Sequence, residues 1–191
     1  SILGLSVDQN LKPTMEYLRI VLHLDRKALR KCLLAHPQLL ALSIANLQSK
    51  VHYFESIGGT SLASRIAYRC PAVYSLSLTD NLIPTIDFLS RAWGMTQPES
   101  SGDTLAHWLQ EYPNILTMSL EGNIQPTMNF YNRTGYTGLT DNWELVAGQT
   151  RIRGRYIAAS LNNRLLPRWH YCRTQSEDDT NLPLHLLATA T

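Results

Sequence analysis

Five related strings, set 35 to 42 residues apart, limit what this chain can fold into more than any other feature. NLKPTMEYL (10–18), NLIPTIDFL (81–89) and NIQPTMNFY (123–131) share the order Asn, apolar, any residue, Pro, Thr. NLQSKVHYF (46–54) carries Ser49 where the proline would stand, and RLLPRWHYC (164–172) carries Arg164 where the asparagine would stand. The proline-equivalent positions are 13, 49, 84, 126 and 167, which gives spacings of 36, 35, 42 and 41 residues. A proline is tolerated in the first turn of a helix, where its missing N–H would have found no acceptor. Each string therefore reads as a helix start, with Asn10, Asn81 and Asn123 expected as N-caps of helices holding Pro13, Pro84 and Pro126 in their first turn. Leu82, Ile86, Leu89 and Trp93 then fall on one stripe, as do Leu11, Met15, Leu18 and Leu22.

A second landmark precedes each of these helices. HPQLLALS (36–43), CPAVYSLS (70–77) and YPNILTMS (112–119) run from a proline through a short apolar stretch to a serine. The residue before each proline is pushed out of α geometry, so an earlier helix should end there. That earlier helix is visible in DRKALRKCLLAH (25–36, Asp25 as cap, Leu29, Leu33 and Leu34 apolar), in TSLASRIAYR (60–69, after the stop Gly58-Gly59) and in GDTLAHWLQEY (102–112, Asp103 as cap). DNWELVAG (141–148) has an Asp-x-x-Glu capping box and ends at Gly148. No segment alternates with the period of a strand. The expected fold is all-α, a solenoid of four to five two-helix repeats over residues 1–175, followed by a tail at 176–191. Leu47, Val51, Phe54, Leu82, Ile86, Leu89, Ile124 and Met128 should form one core along the array. The spacers 94–103 and 133–142 read as polar, glycine-containing surface loops.

Chemistry is sparse in this sequence. Cys32, Cys70 and Cys172 are scattered, which fits buried apolar faces and not a disulfide framework or a metal site. The six histidines form no metal-type pair, and His36 and His52 read as packing or surface residues. Gly58-Gly59 lacks the Lys-Ser/Thr of a phosphate loop. NRT (132–134) matches a glycosylation acceptor, a pattern too short to carry weight alone. With no nucleophile beside a base and no cofactor fingerprint, the chain is read as a non-enzyme without cofactor or metal. No apolar run reaches the length of a membrane span.

The combined order of Pro-apolar-apolar-x-x-Ser followed by Asn-Leu-x-Pro, recurring at this period, resembles the mitochondrial transcription termination factor (mTERF) family. SLNNRLLPRWHY (160–171) is similar to that family's last motif. The resemblance implies a superhelix of helix, helix and short-helix repeats that acts in organellar gene expression, in the mitochondrion in preference to the chloroplast. It implies binding to duplex DNA, to RNA, or to an assembling organellar ribosome, without choosing among them.

Charge position narrows the choice. Residues 1–69 carry +5, residues 70–150 carry −6, and residues 151–175 carry six arginines and no acid. A duplex followed along the whole array would need cations from most repeats, and the middle is acidic. The expected phosphate-contacting residues are therefore Arg151, Arg153, Arg155, Arg164, Arg168 and Arg173, with Leu165, Trp169 and Cys172 anchoring the last helix. Arg26, Lys27, Arg30 and Lys31 form a second patch on one helix side. RNA, including ribosomal RNA, suits such isolated patches at least as well as duplex DNA. The rival expectation is a structural subunit of a large organellar assembly, docked to proteins through the acidic segment 70–150.

Overall fold

The computed structural model describes residues 6–92, 105–133 and 161–175. Among these residues there is no strand. Seven α-helices occur: α1 (Lys12–Val21), α2 (Arg26–Ala35), α3 (Ile44–Arg69), α4 (Ile83–Ala92), α5 (Leu105–Glu111), α6 (Gln125–Arg133) and α7 (Leu166–Gln175). Short 3-10 helices at Pro37–Ala41, Pro71–Ser75 and Pro113–Thr117 follow α2, α3 and α5. The residues before their prolines, His36, Cys70 and Tyr112, leave α geometry as the sequence requires.

The repeated proline does more than mark a helix start. A single π-helical turn precedes α1, α4, α6 and α7, at Val7–Leu11, Leu78–Leu82, Leu120–Ile124 and Leu161–Leu165. In the first three, the last bond of the turn spans five residues: Lys12, Ile83 and Gln125 donate N–H to the carbonyls of Val7, Leu78 and Leu120. The next residue is the proline, the second residue of its α-helix. Proline offers no N–H and its ring collides with the carbonyl four residues back. Widening the turn just before it relieves that collision where the ladder changes pitch.

This moves the cap. Asn10, Asn81 and Asn123 lie inside the π turns, and the N-caps are Ser6, Ser77 and Ser119, whose hydroxyls accept from the N–H of Gln9 (3.2 Å), Asp80 (3.2 Å) and Gly122 (3.0 Å). The expectation of asparagine caps is thus corrected by one turn. The repeat without a proline supplies the control. Ser43 caps α3 through the N–H of Asn46 at 3.3 Å, and α3 opens without a π turn. Serine precedes asparagine by four residues in the three proline repeats and by three here, so the extra residue is the one the π turn accommodates. Replacing Ser77 by Ala should cost about 1 kcal/mol, as for other lost caps, whereas Asn81→Ala should cost no more than a few tenths. Urea denaturation of the two variants separates these outcomes.

The α3 helix is two repeat helices joined at a bend. Gly59 is left-handed (φ 71°), a conformation an L side chain resists, and Gly58 also leaves helical geometry. A Cβ on Gly58 would lie 2.6 Å from Cβ of Ala106, so α5 packs directly against this glycine. The expected helix stop at Gly58-Gly59 is this bend. On its far side, α3 is tied to neighbouring helices: the Cys32 thiol of α2 donates to the Ala67 carbonyl (3.0 Å), Ser64 to that of Leu22 at the end of α1 (2.7 Å), and Arg69 to that of Glu111 in α5 (2.8 Å).

One core runs along the stack. Leu47, Val51, Phe54, Leu82, Ile86, Leu89 and Ile124 are buried in it, and Met128 packs against it half-buried. Two expectations within the helices shift. Met15 is exposed, and so is Leu34 of α2, where Leu29 and Cys32 take the inward positions. Trp93, Asp103 and the 141–148 helix lie outside the described residues.

Candidate nucleic-acid interface

The α2 helix builds the basic patch from its own register. Asp25 opens it, its carboxylate accepting from the N–H of Ala28 at 2.6 Å. Leu29 and Cys32 turn inward and are buried, which obliges Arg26, Lys27, Arg30 and Lys31 to face outward. All four are exposed, and among the described residues none pairs with a carboxylate. The Lys31 ammonium instead sits over the ring of Tyr68, 4.0 Å from its centroid, joining α2 to the second half of α3. Tyr68 is itself exposed, so the patch combines cations with an aromatic face.

Three other cations at the surface are engaged with carboxylates. Lys12 pairs with Asp8 at 2.6 Å. Arg65 and Arg69 approach the Glu111 carboxylate at 3.6 and 3.5 Å, and Arg69 also holds the last carbonyls of α5. The α2 patch differs from these three in that none of its four cations pairs with a carboxylate among the described residues.

Only part of the arginine-rich segment falls within the described residues. Arg151, Arg153 and Arg155 lie outside them, as does the side chain of Arg173. Arg164 is exposed at the end of the fourth π turn. Arg168 departs from the outward placement expected of it: it is half-buried and engaged with a neighbouring group. The repeat explains why. Arg168 follows Pro167, and the residues at the same place in the other repeats, Thr14, Lys50, Thr85 and Thr127, are all buried. That position points inward. Two of the expected anchors hold α7: Leu165 is fully buried, and Trp169 meets Phe130 edge-on at 6.1 Å, while the side chain of Cys172 lies outside the described residues.

Lys50 is an inward residue that no motif announced. It is 2% exposed and its ammonium donates to the Tyr74 carbonyl at the end of the second 3-10 helix. Burial pushes its pKa below the ordinary lysine value. Aligning Ser49-Lys50 with the three Pro-Thr pairs would have marked it as an inward position. Burial raises the thiols of Cys32 and Cys70, opposite to what a nucleophile needs. Among the described residues, no three His, Cys, Asp or Glu side chains converge, and no helix is long and apolar enough to cross a membrane.

Comparison with known protein families matches residues 1–150 to mTERF. The chain belongs to the mTERF family. Membership makes it a helical-repeat protein of the kind that binds nucleic acid in organellar gene expression. No solved structure matches the chain. The arginines at 151–173 follow the matched span, yet the π turn and proline of this mTERF repeat recur there at Leu161–Leu165 and Pro167.

Proposed function

We propose that this mTERF protein binds RNA in the mitochondrion, gripping phosphates through the exposed face of α2 and through Arg164, with the repeat domain continuing to residue 175. The observation that carries the reading is the α2 face: four exposed cations without a carboxylate partner, with Tyr68 beside them for a base to stack on. Residues 70–133 contribute only Arg91 and Arg133, so the cations do not form the continuous track that a long duplex would reward. Two separated patches suit the irregular backbone of folded or single-stranded RNA. The reading assigns the protein to binding and not to catalysis.

The test is a double charge reversal, Arg26→Glu with Arg30→Glu, measured for a single-stranded RNA, an RNA stem-loop and a DNA duplex at several salt concentrations. Affinity for RNA should fall at least tenfold at low salt. The slope of log affinity against log salt should become shallower by roughly 0.7 per lost contact to a single strand and roughly 0.9 on a duplex. An unchanged slope in a folded variant removes α2 from the interface and favours docking to protein through the acidic middle. Arg164→Glu, run in parallel, reports on the second patch separately.

A further inference from the structure

Three of the helix starts in this array carry their own negative charge, and the start of α3 does not. Asp8, Asp80 and Glu121 stand in the first turns of the π segments before α1, α4 and α6. The Asp80 carboxylate accepts from the hydroxyl of the capping Ser77 at 2.7 Å. The first turn of α3 holds no acid, and Asn46 stands where Asp80 does, three residues after the capping serine. Ser43 satisfies the N–H of Asn46, which leaves those of Ile44 and Ala45 without an acceptor in the helix. The positive end of α3 therefore lacks a carboxylate of its own. It meets a groove of about 340 Å³ lined by Gln9, Asn10, Pro13, Thr14, Ser43 and Ile44 among others.

Thr14 supplies an independent sign of a ligand. It is 4% exposed, it lines this groove, and its hydroxyl makes no hydrogen bond among the described residues. A buried hydroxyl without a partner is unfavourable, and a bound acceptor would relieve it. Thr85 is buried at the same place in its repeat, but the helix start that follows it brings Glu121. The difference lies in the charge of the helix start, not in the threonine.

We infer that this groove binds a phosphate group of the RNA. The N–H groups of Ile44 and Ala45 and the Thr14 hydroxyl are its donors, and the carboxamides of Gln9 and Asn10 stand on the rim to add others. No carboxylate is among the lining residues. The single 3-10 turn Pro37–Ala41 ends at the same groove, and its short dipole offsets only part of the field of α3. A phosphate presents acceptor oxygens on several sides, so it can engage α1 and α3 together. Pro13, Leu40 and Leu42 offer apolar surface to the attached sugar. That the phosphate belongs to RNA rests on the function proposed above; that a phosphate binds here does not.

The test uses the intact chain, with inorganic phosphate titrated at constant ionic strength and followed by backbone amide NMR of residues 43–46. Saturable shifts at Ile44 and Ala45 at millimolar phosphate, absent with chloride, are the expected result. Ala45 is exposed, so Ala45→Asp places a carboxylate in the first turn of α3 without disturbing the core. This variant should keep its thermal midpoint and bind phosphate at least fivefold more weakly. Thr14→Val removes the hydroxyl without adding charge, and RNA affinity should fall about threefold with the salt slope unchanged, because neutral donors release no counterions. No phosphate response in the wild type, or an equal response in Ala45→Asp, overturns the site. A phosphate response with RNA affinity unchanged in both variants overturns its assignment to RNA. A wild-type protein that binds phosphate here but no RNA brings down the RNA reading and leaves the phosphate site standing.

Discussion

Phe54→Ala should be the most damaging truncation in the described structure, lowering stability by about 3–5 kcal/mol. Phe54 is fully buried in the first half of α3, and its ring meets Tyr74 edge-on with centroids 5.6 Å apart. Removing it forfeits the transfer energy of the ring, the aromatic contact and the packing around the resulting cavity. The location magnifies the consequence. In an array each repeat is stabilised mainly by its neighbours, and α3 supplies the repeat lying between α1–α2 and α4–α5. Loss here should uncouple the two sides and lower the denaturant m-value as well as the midpoint. Phe54→Leu, which keeps most of the volume, should cost far less. A loss under 1 kcal/mol for Phe54→Ala in urea denaturation would show that the helix face had been assigned wrongly.

Much of the fold could be read from the sequence because proline, glycine and apolar spacing act locally. Pro37, Pro71 and Pro113 stop helices through sterics of the preceding residue, and Gly58-Gly59 bends α3 by the left-handed backbone at Gly59. The seven buried positions from Leu47 to Ile124 follow from helical period alone. The misplaced cap shows where that logic stops. Asparagine and serine are comparable N-caps, and serine caps every one of these helices, Ser43 included where no proline follows; the proline decides only that a π turn lies between the cap and the α-helix. Arg168 and Lys50 elude the sequence for a related reason. A charged residue is presumed outward, but the phase set by the repeat buries Thr14, Lys50, Thr85 and Thr127 at this position and leaves Arg168 half-buried there. The α2 patch, by contrast, was readable because burial of Leu29 fixes the phase of the helix.

Stability should fall steeply above pH 10, and Tyr74 should be a principal cause. The Tyr74 side chain is fully buried, and its hydroxyl donates to the Ala63 carbonyl at 2.9 Å. Burial raises its pKa well above 10.0, with smaller contributions from Tyr17, Glu55 and Cys32. Tyr53 is pushed up to about 12, first by burial and then by Asp87, and Tyr17 is raised as well. A phenol whose folded pKa is raised keeps its proton when the unfolded chain has lost it. Its contribution is complete below pH 10 and drains away as pH climbs towards the raised value, at about 1.4 kcal/mol per pH unit per group. Cys32 and Cys70 act in the same direction from pH 9. Lys50 opposes them, because its lowered pKa means that the folded state gains relative to the unfolded one up to pH 10.5. One lysine against three tyrosines and two cysteines leaves a net loss. Thermal melts at pH 8, 9, 10 and 11 should show a drop that steepens at the last step. Tyr74→Phe should be about 1 kcal/mol less stable at pH 8, having lost its hydrogen bond. It has no phenol to ionise at that site, so its curve should fall less steeply and approach the wild-type curve by pH 11. Parallel curves would mean that Tyr74 ionises as readily in the folded protein as in the unfolded chain, contrary to its burial.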